Sequence, residues 1–480
     1  MKYTKFAIFT LLCLLPEMAF ATGFHEYLGS HDNVNPFTGR INGASPSNIY
    51  FNPASIVNMP TTLSFGFSYT LLRPVVSLKS RDSAYDVQSS IFESIPASGA
   101  VDNTYIRPLP TSRLRTPRGS SSGSVTTGHL HLGAVSSIVK DRVAIGFMAL
   151  LPLRSFQTQE PFFVDEREQF FSNSLHHEFL GDRIENNSFC FAIGGKVLPW
   201  LNLGAGLCMT TTAMSRAELY LPDASKQDES YMNSSVVVES SFVPHFSAEV
   251  VQKSLKYTLG VHLPSQSRTQ GNSYIQFWNV NETEEPTVQK FNFVYSYEPY
   301  RINTGVSYET KAGDFRIRSG LTAVAAFWSN YIDRHGEKPS KEWSDTVTLS
   351  AGVRMYNKVH NFGLDAMFAP TPVPDQDGRT NYVDNSRISA GAGYEYNFIM
   401  SGRKLTFGVY GVFHYMIPRS VSKNPSAANP VVDEFPDSVN IFTNDPVPDS
   451  AGFQTNNPGF PGFSSRGWIL SLGASLKMQF

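Results

Sequence analysis

The last residues of the chain alternate with a period of two. Trp468, Leu470, Leu472, Ala474, Leu476, Met478 and Phe480 are apolar, and Ser471, Gly473, Ser475, Lys477 and Gln479 between them are small or polar. Successive side chains of a strand point to opposite faces, so this segment has one face for hydrocarbon and one for water. It is the pattern of the closing strand of an outer-membrane barrel, and it leaves no room for a soluble tail.

The other end of the chain agrees. Met1 to Ala21 carries Lys2 and Lys5, an apolar core from Phe6 to Leu15, and Ala19-Phe20-Ala21 as a small-residue cleavage signal, so export is expected with a mature start near Thr22. The apolar core is too short to span a bilayer. Leu12 before Cys13 argues against a lipoprotein anchor.

No later apolar run approaches the ~18 residues of a membrane helix, which excludes a helical membrane protein. A net charge of −2 lacks the basic footprint that nucleic-acid binding needs. Alternation closed by Gly, Pro, Asn or Asp clusters picks out fourteen strands, at 61–79, 127–139, 142–157, 183–198, 200–220, 242–254, 256–270, 290–308, 313–328, 346–356, 359–370, 386–398, 403–417 and 467–480. In the twelfth, Ile388, Ala390, Ala392, Tyr394, Tyr396 and Phe398 oppose Arg387, Ser389, Gly391, Gly393, Glu395 and Asn397.

The connections alternate in length. Long ones lie at 80–126, 158–182, 221–241, 271–289, 329–345, 371–385 and 418–466, and short ones at 140–141, near 199, near 255, and at 309–312, 357–358 and 399–402. An up-and-down barrel with short periplasmic turns and long outer loops has this rhythm, and a soluble sandwich has no reason for it. The expected fold is therefore all-β, a 14-stranded antiparallel transmembrane β-barrel in the outer membrane, with both termini periplasmic. A barrel that wide must conduct or be filled. Residues 22–60, rich in Gly, Asn, Ser and Pro, are read as a plug or hatch inside the lumen, a plain periplasmic leader being the alternative. The organisation is then signal peptide 1–21, hatch 22–60 and barrel 61–480.

After signal removal two cysteines remain, on the fourth and fifth strands. A hairpin centred on Pro199 would place Lys196 opposite Asn202, Gly194 opposite Gly204, Ala192 opposite Gly206 and Cys190 opposite Cys208. Directly opposed residues are within disulfide range, and export favours oxidation, so Cys190 and Cys208 are a disulfide candidate.

Asn52-Pro53-Ala54, leading into the first strand, resembles the hatch-to-barrel junction of the FadL family of outer-membrane transporters for long-chain fatty acids and related hydrophobic compounds. A longer block runs Pro370-Thr371-Pro372-Val373-Pro374, then Arg379, then Asp384-Asn385-Ser386-Arg387 into Ser389-Ala390-Gly391-Ala392-Gly393-Tyr394. It resembles the same family's motif across the sixth outer loop and twelfth strand. Ala369 and Pro370 stand where the family has aspartates, and the outer loops are long, above all 418–466.

The resemblance implies a plugged, monomeric, passive carrier with no cofactor, whose partners are a hydrophobic small molecule and the surrounding lipid. Substrate would be captured in an outer groove, passed to an internal pocket and released sideways through a gap in the wall at a kinked third strand. There Pro152, which cannot donate to a ladder, marks either that break or simply the end of the strand. Each buried CH₂ gains about 0.8 kcal/mol, so lateral exit spares a long chain the water of a central channel. A fatty acid's carboxylate needs a partner in an apolar pocket. Arg216, aligned with a family arginine on the fifth strand, is the first candidate, and Arg354 and Arg387 also face inward by parity.

Catalytic readings fare worse. His176-His177-Glu178 lacks the spacing of a helical zinc site, His129 and His131 alternate on a strand without forming a metal site, and no nucleophile elbow occurs in a strand–turn–helix context. An enzyme is not expected, and no metal. Besides the fatty-acid carrier, three readings stay open: an uptake channel for aromatic hydrocarbons, an open porin, and a surface-interaction barrel suggested by the long loops.

Overall fold

The computed structural model describes residues 23–43, 45–79, 120–122, 125–153, 176–177, 187–220, 231–275, 287–333, 336, 338–377, 380–423 and 461–480. The signal segment and most of the long connections lie outside these residues. Fourteen strands form one closed antiparallel sheet: β1 Thr62–Leu78, β2 Val125–Val139, β3 Val143–Pro152, β4 Asn187–Leu198, β5 Leu201–Tyr220, β6 Tyr231–Gln252, β7 Leu255–His262, β8 Tyr300–Ala312, β9 Phe315–Phe327, β10 Thr346–Tyr356, β11 His360–Ala369, β12 Arg387–Met400, β13 Arg403–Ser422 and β14 Gly462–Gln479. Each pairs with its neighbours in sequence, and β14 pairs along its length with β1, so the described wall has no free edge. No described helix is long and apolar enough to cross a membrane; this chain crosses with strands.

The alternation sorts as a barrel requires. On β1, Leu63, Phe65, Phe67 and Tyr69 are exposed on the outside, while Ser64, Ser68 and Thr70 are buried inside. On β12, Ile388 is exposed while Ser389 and Glu395 are buried. An apolar outer band around a polar interior is the wall of an outer-membrane protein. The β4–β5 hairpin has the register Lys196–Asn202, Gly194–Gly204, Ala192–Gly206 and Cys190–Cys208, and the two cysteines are joined in a buried disulfide.

The sixth strand begins at Tyr231 rather than at the expected 242, because it pairs with β5 along the whole of β5. Three further differences from the sequence reading share one physical reason, proline. The segments 256–270 and 290–308 are each split. Their wall portions are β7 and β8, and Ser265–Ile275 pairs with Thr287–Glu298 as a separate two-stranded sheet. The breaks fall at Pro264 and Pro299, where the missing N–H ends the ladder. In β13 the chain instead absorbs Pro418 as a bulge between Met416 and Arg419, and the strand runs on to Ser422, beyond the expected 417. Pro152 is the last residue of β3, where it lies opposite His129 of β2, and β3 pairs with β4 from Val143 to Leu150.

Residues 23–58 contain three short helices, α1 Gly23–Leu28, α2 Gly39–Asn42 and α3 Asn48–Phe51, followed by a 3₁₀ segment Pro53–Asn58. Their described side chains are almost all buried, polar ones included, so their hydrogen bonds must close on the wall. Asn35 Nδ2 donates to Asp365 of β11 at 2.7 Å, the Ala54 amide to Ser247 Oγ of β6 at 2.8 Å, and Lys477 Nζ of β14 to the Asp32 carbonyl at 2.8 Å. Glycines on the inner face make room for this approach. A side-chain carbon at Gly204 would collide with the Ala54 backbone, and one at Gly363 with the Val34 carbonyl.

Candidate functional site

A cavity lies between the helices of residues 23–58 and the inner face of β8 to β12, roofed by the connection between β11 and β12. Its walls are largely apolar. Tyr27 of α1, Phe37, Phe51 of α3, Val324 and Ala326 of β9, Met367 and Ala369 of β11, and Trp328 just after β9 all face it. Trp328 belongs to an aromatic group in the connection between β9 and β10, where the Tyr331 and Trp343 rings stack at 3.6 Å, and Tyr382 of the connection between β11 and β12 meets Trp343 at 5.6 Å, so these two connections pack against each other.

Charged side chains also line this cavity. Arg40 Nη2 donates to Glu26 Oε2 at 2.7 Å, and its guanidinium lies 5.1 Å from the Phe51 ring centre. Arg301 of β8 pairs with Glu298, donates to Tyr50 Oη at 2.8 Å and approaches Glu26 at 3.9 Å. Arg387, the first residue of β12, lies 3.9 Å over the Tyr27 ring. Asp384 also lines the cavity, and burial pushes its carboxyl above the ordinary carboxylate range despite Arg387 nearby. Among the described residues, Arg40 Nε and Nη1 and Arg387 Nε are buried with no hydrogen-bond partner. A buried unsatisfied donor costs about 1–3 kcal/mol, so the three guanidinium N–H groups on these two cavity-lining arginines favour an acceptor brought beside them.

The sequence candidates fall in different places. Arg387 lines the cavity. Arg354 does not: it donates to the Asn42 carbonyl at 3.2 Å and to Asn361 Oδ1 at 2.9 Å, which engages it in holding α2. Arg216 lies on β5 opposite Ser235, and its side chain is outside the described residues. Asn52 donates to the Arg40 carbonyl at 2.9 Å and to Glu249 at 3.2 Å, Pro53 opens the 3₁₀ segment, and Ala54 is fastened to Ser247 as above.

In the motif block, Pro370 and Pro372 line the cavity, while Asn385 ties the roof to β13 and β14 through the Ile417 and Ser465 carbonyls at 2.9 and 3.0 Å. His176–His177 forms a short parallel pairing with Tyr382–Val383, and among the described residues no three His, Cys, Asp or Glu side chains converge as metal ligands. Sequence reasoning missed Arg40 and Arg301. Arg301 sits on the inner parity of β8, so alternation could have found it. Arg40 lies in a segment without alternation.

No family model matches the sequence, and no curated protein does either. Solved structures do. A FadL homologue of Pseudomonas aeruginosa superposes with a TM-score of 0.50 at 13% identity, covering 97% of this chain and 98% of that one. This chain has the FadL fold. The monoaromatic hydrocarbon channel CymD has a TM-score of 0.45 at 12% identity, covering 96% of this chain and 99% of its own. The P. putida toluene transporter TodX has a TM-score of 0.45 at 8% identity, with 97% and 99% covered.

Proposed function

We propose that this chain is a passive outer-membrane transporter of the FadL family for hydrophobic small molecules that carry an acidic head, long-chain fatty acids above all. The observation that carries the reading is the cavity with aromatic and aliphatic walls and unsatisfied guanidinium N–H groups on Arg40 and Arg387. An acyl chain would lie among Tyr27, Phe37, Phe51 and Met367, and the carboxylate would accept from the two arginines, a charge-assisted pairing of the stronger kind. Residues 23–58 serve in this reading as the hatch, with Asn52, Pro53 and Ala54 as its hinge to the barrel. Ligand enters from the outer loops and leaves sideways near Pro152, because lateral exit spares the acyl chain a passage through water.

The deciding experiment is binding of a fluorescent long-chain fatty acid to the purified protein in detergent, with Arg387→Ala, Arg40→Ala and Arg216→Ala variants and a neutral aromatic competitor. Saturable binding weakened about tenfold or more by loss of Arg387 or Arg40, which leaves a carboxylate without its charge-assisted partner, is expected. Binding indifferent to both arginines and displaced by the aromatic would replace the acid with a neutral hydrocarbon. Absence of saturable binding together with steady ion conductance would make the protein a porin.

A further inference from the structure

Seven of the 11 histidines lie where residues 23–58 meet the wall: His25 and His31 on the segment itself, His129 and His131 on β2, His245 on β6, His262 on β7 and His414 on β13. All seven are buried. Their rings are in contact across the boundary. His31 stacks on His131 with centroids 4.3 Å apart, and His25 lies 6.3 Å from His31. His245 stacks on His262 at 5.0 Å, and the Tyr50 ring of α3 lies 4.5 Å from His25 and 4.8 Å from His262. Two of the hydrogen bonds fastening the segment are made by imidazoles: His25 Nε2 with Ser188 Oγ at 3.0 Å, and His245 Nε2 donating to the Ile49 carbonyl at 2.7 Å.

The charged groups facing this cluster are mostly of the wrong sign to welcome imidazolium. Arg40 from α2 and Arg301 from β8 act on His262, Arg301 also acts on His25, and Arg387 from β12 acts on His414. Glu26 of α1 is the described carboxylate acting on His25, and it is already held by Arg40 and Arg301. Asp32 is turned to Ser30 Oγ and the Ser47 amide. From β4 the cluster meets Ser188, which carries no charge.

We infer that these histidines make residues 23–58 an acid-released plug, closed while the imidazoles are neutral and expelled from the lumen when they take up protons together. The inference rests on the plug reading above and adds its control. Burial pushes the imidazole of His25 down to about 3 and that of His31 well below the ordinary range. A group whose pKa is lower in the closed state binds protons preferentially in the open one, so closure is fully favoured above about pH 6.5 and is lost as pH falls. Each imidazole exposed on opening contributes up to about tenfold per pH unit in that window, and several acting together make the response steep.

The test is conductance of the full chain in planar bilayers from pH 7.5 to pH 4.5, for the wild type, His31→Asn/His131→Asn and His262→Gln. Folding of each is checked by heat-modifiable migration in SDS gels. The wild type should be closed at pH 7.5 and open below about pH 6, its open probability changing by more than tenfold per pH unit. The double variant should open at lower pH and less steeply by up to two protons, and His262→Gln by up to one. Asp365, Glu249 and Glu395 also bind residues 23–58 or their neighbours, and they are untouched by these substitutions, so an opening driven by those carboxylates would not shift in the variants.

A wild type that stays closed to pH 4.5 would overturn the inference, as would variants that open at the wild-type pH with the wild-type steepness. A wild type already open at pH 7.5 would overturn the plug reading beneath it.

Discussion

Asp365 shows how one side chain can hold a whole segment. Its Oδ2 accepts from the Phe37 amide at 2.7 Å and the Thr38 amide at 2.9 Å, and its Oδ1 accepts from Thr38 Oγ1 and Asn35 Nδ2, both at 2.7 Å. The four donors belong to the turn before α2, and the acceptor belongs to β11. Asp365→Ala would leave two buried amides without their acceptor, at about 1–3 kcal/mol for each bond to the charged group. The expected outcome is trypsin cleavage at Arg40 in the otherwise folded barrel, where the wild type, with Arg40 buried, resists it. Limited proteolysis at neutral pH checks this. Asp365 went unnoticed in the sequence, because nothing in a strand's alternation points to three partner residues more than 320 positions away.

Among the elements, the β4–β5 hairpin was the most legible. A tight turn and strict alternation fix which residues lie opposite, so the cross-strand partners of Cys190 follow from arithmetic on the sequence. The disulfide closes a separation of 18 residues, and a closed loop of that size is worth about 3 kcal/mol in the chain-entropy account. Because both cysteines are wholly buried, reductant should not reach them in the folded barrel. In a non-reducing gel the heated protein should run faster than the reduced one. Cys190→Ser/Cys208→Ser should abolish that difference and lower the temperature of heat modification.

The β7–β8 region was less legible. Alternation continues past Pro264 and Pro299 although the ladder cannot, so a hairpin that leaves the wall read as two long strands. The prolines were the available signal, and their alignment across the pair became plain once the two strands were seen to be neighbours.

For the whole molecule, the proposed plug would decide between conduction and closure. Removing residues 23–58 would take away the partners that Asp365 and Ser247 have on this segment, and Asn52 and Asn58 from Glu249, but leave every strand pairing intact. The deleted barrel is expected to insert in planar bilayers as an open pore at neutral pH, where the full chain shows little current. Equal currents from both would place the barrier to ions elsewhere. The same deletion should abolish saturable fatty-acid binding, since one side of the cavity is built from α1, α2 and α3.

The sequence alone determined the closed sheet, the number of its strands, and which face of each strand meets lipid, because those properties depend on a local two-residue period that lipid on one side and a wet lumen on the other impose everywhere along the wall. It also carried the Cys190–Cys208 register and brought Arg387 forward. Tertiary structure alone decided how residues 23–58 are fastened and where the cavity opens. It also assigned Arg354 to holding α2, set Arg40 in the wall of the cavity, and gathered seven histidines at one boundary. Those outcomes depend on which side chains meet across the barrel, and contacts between residues hundreds of positions apart leave no period in the chain to read.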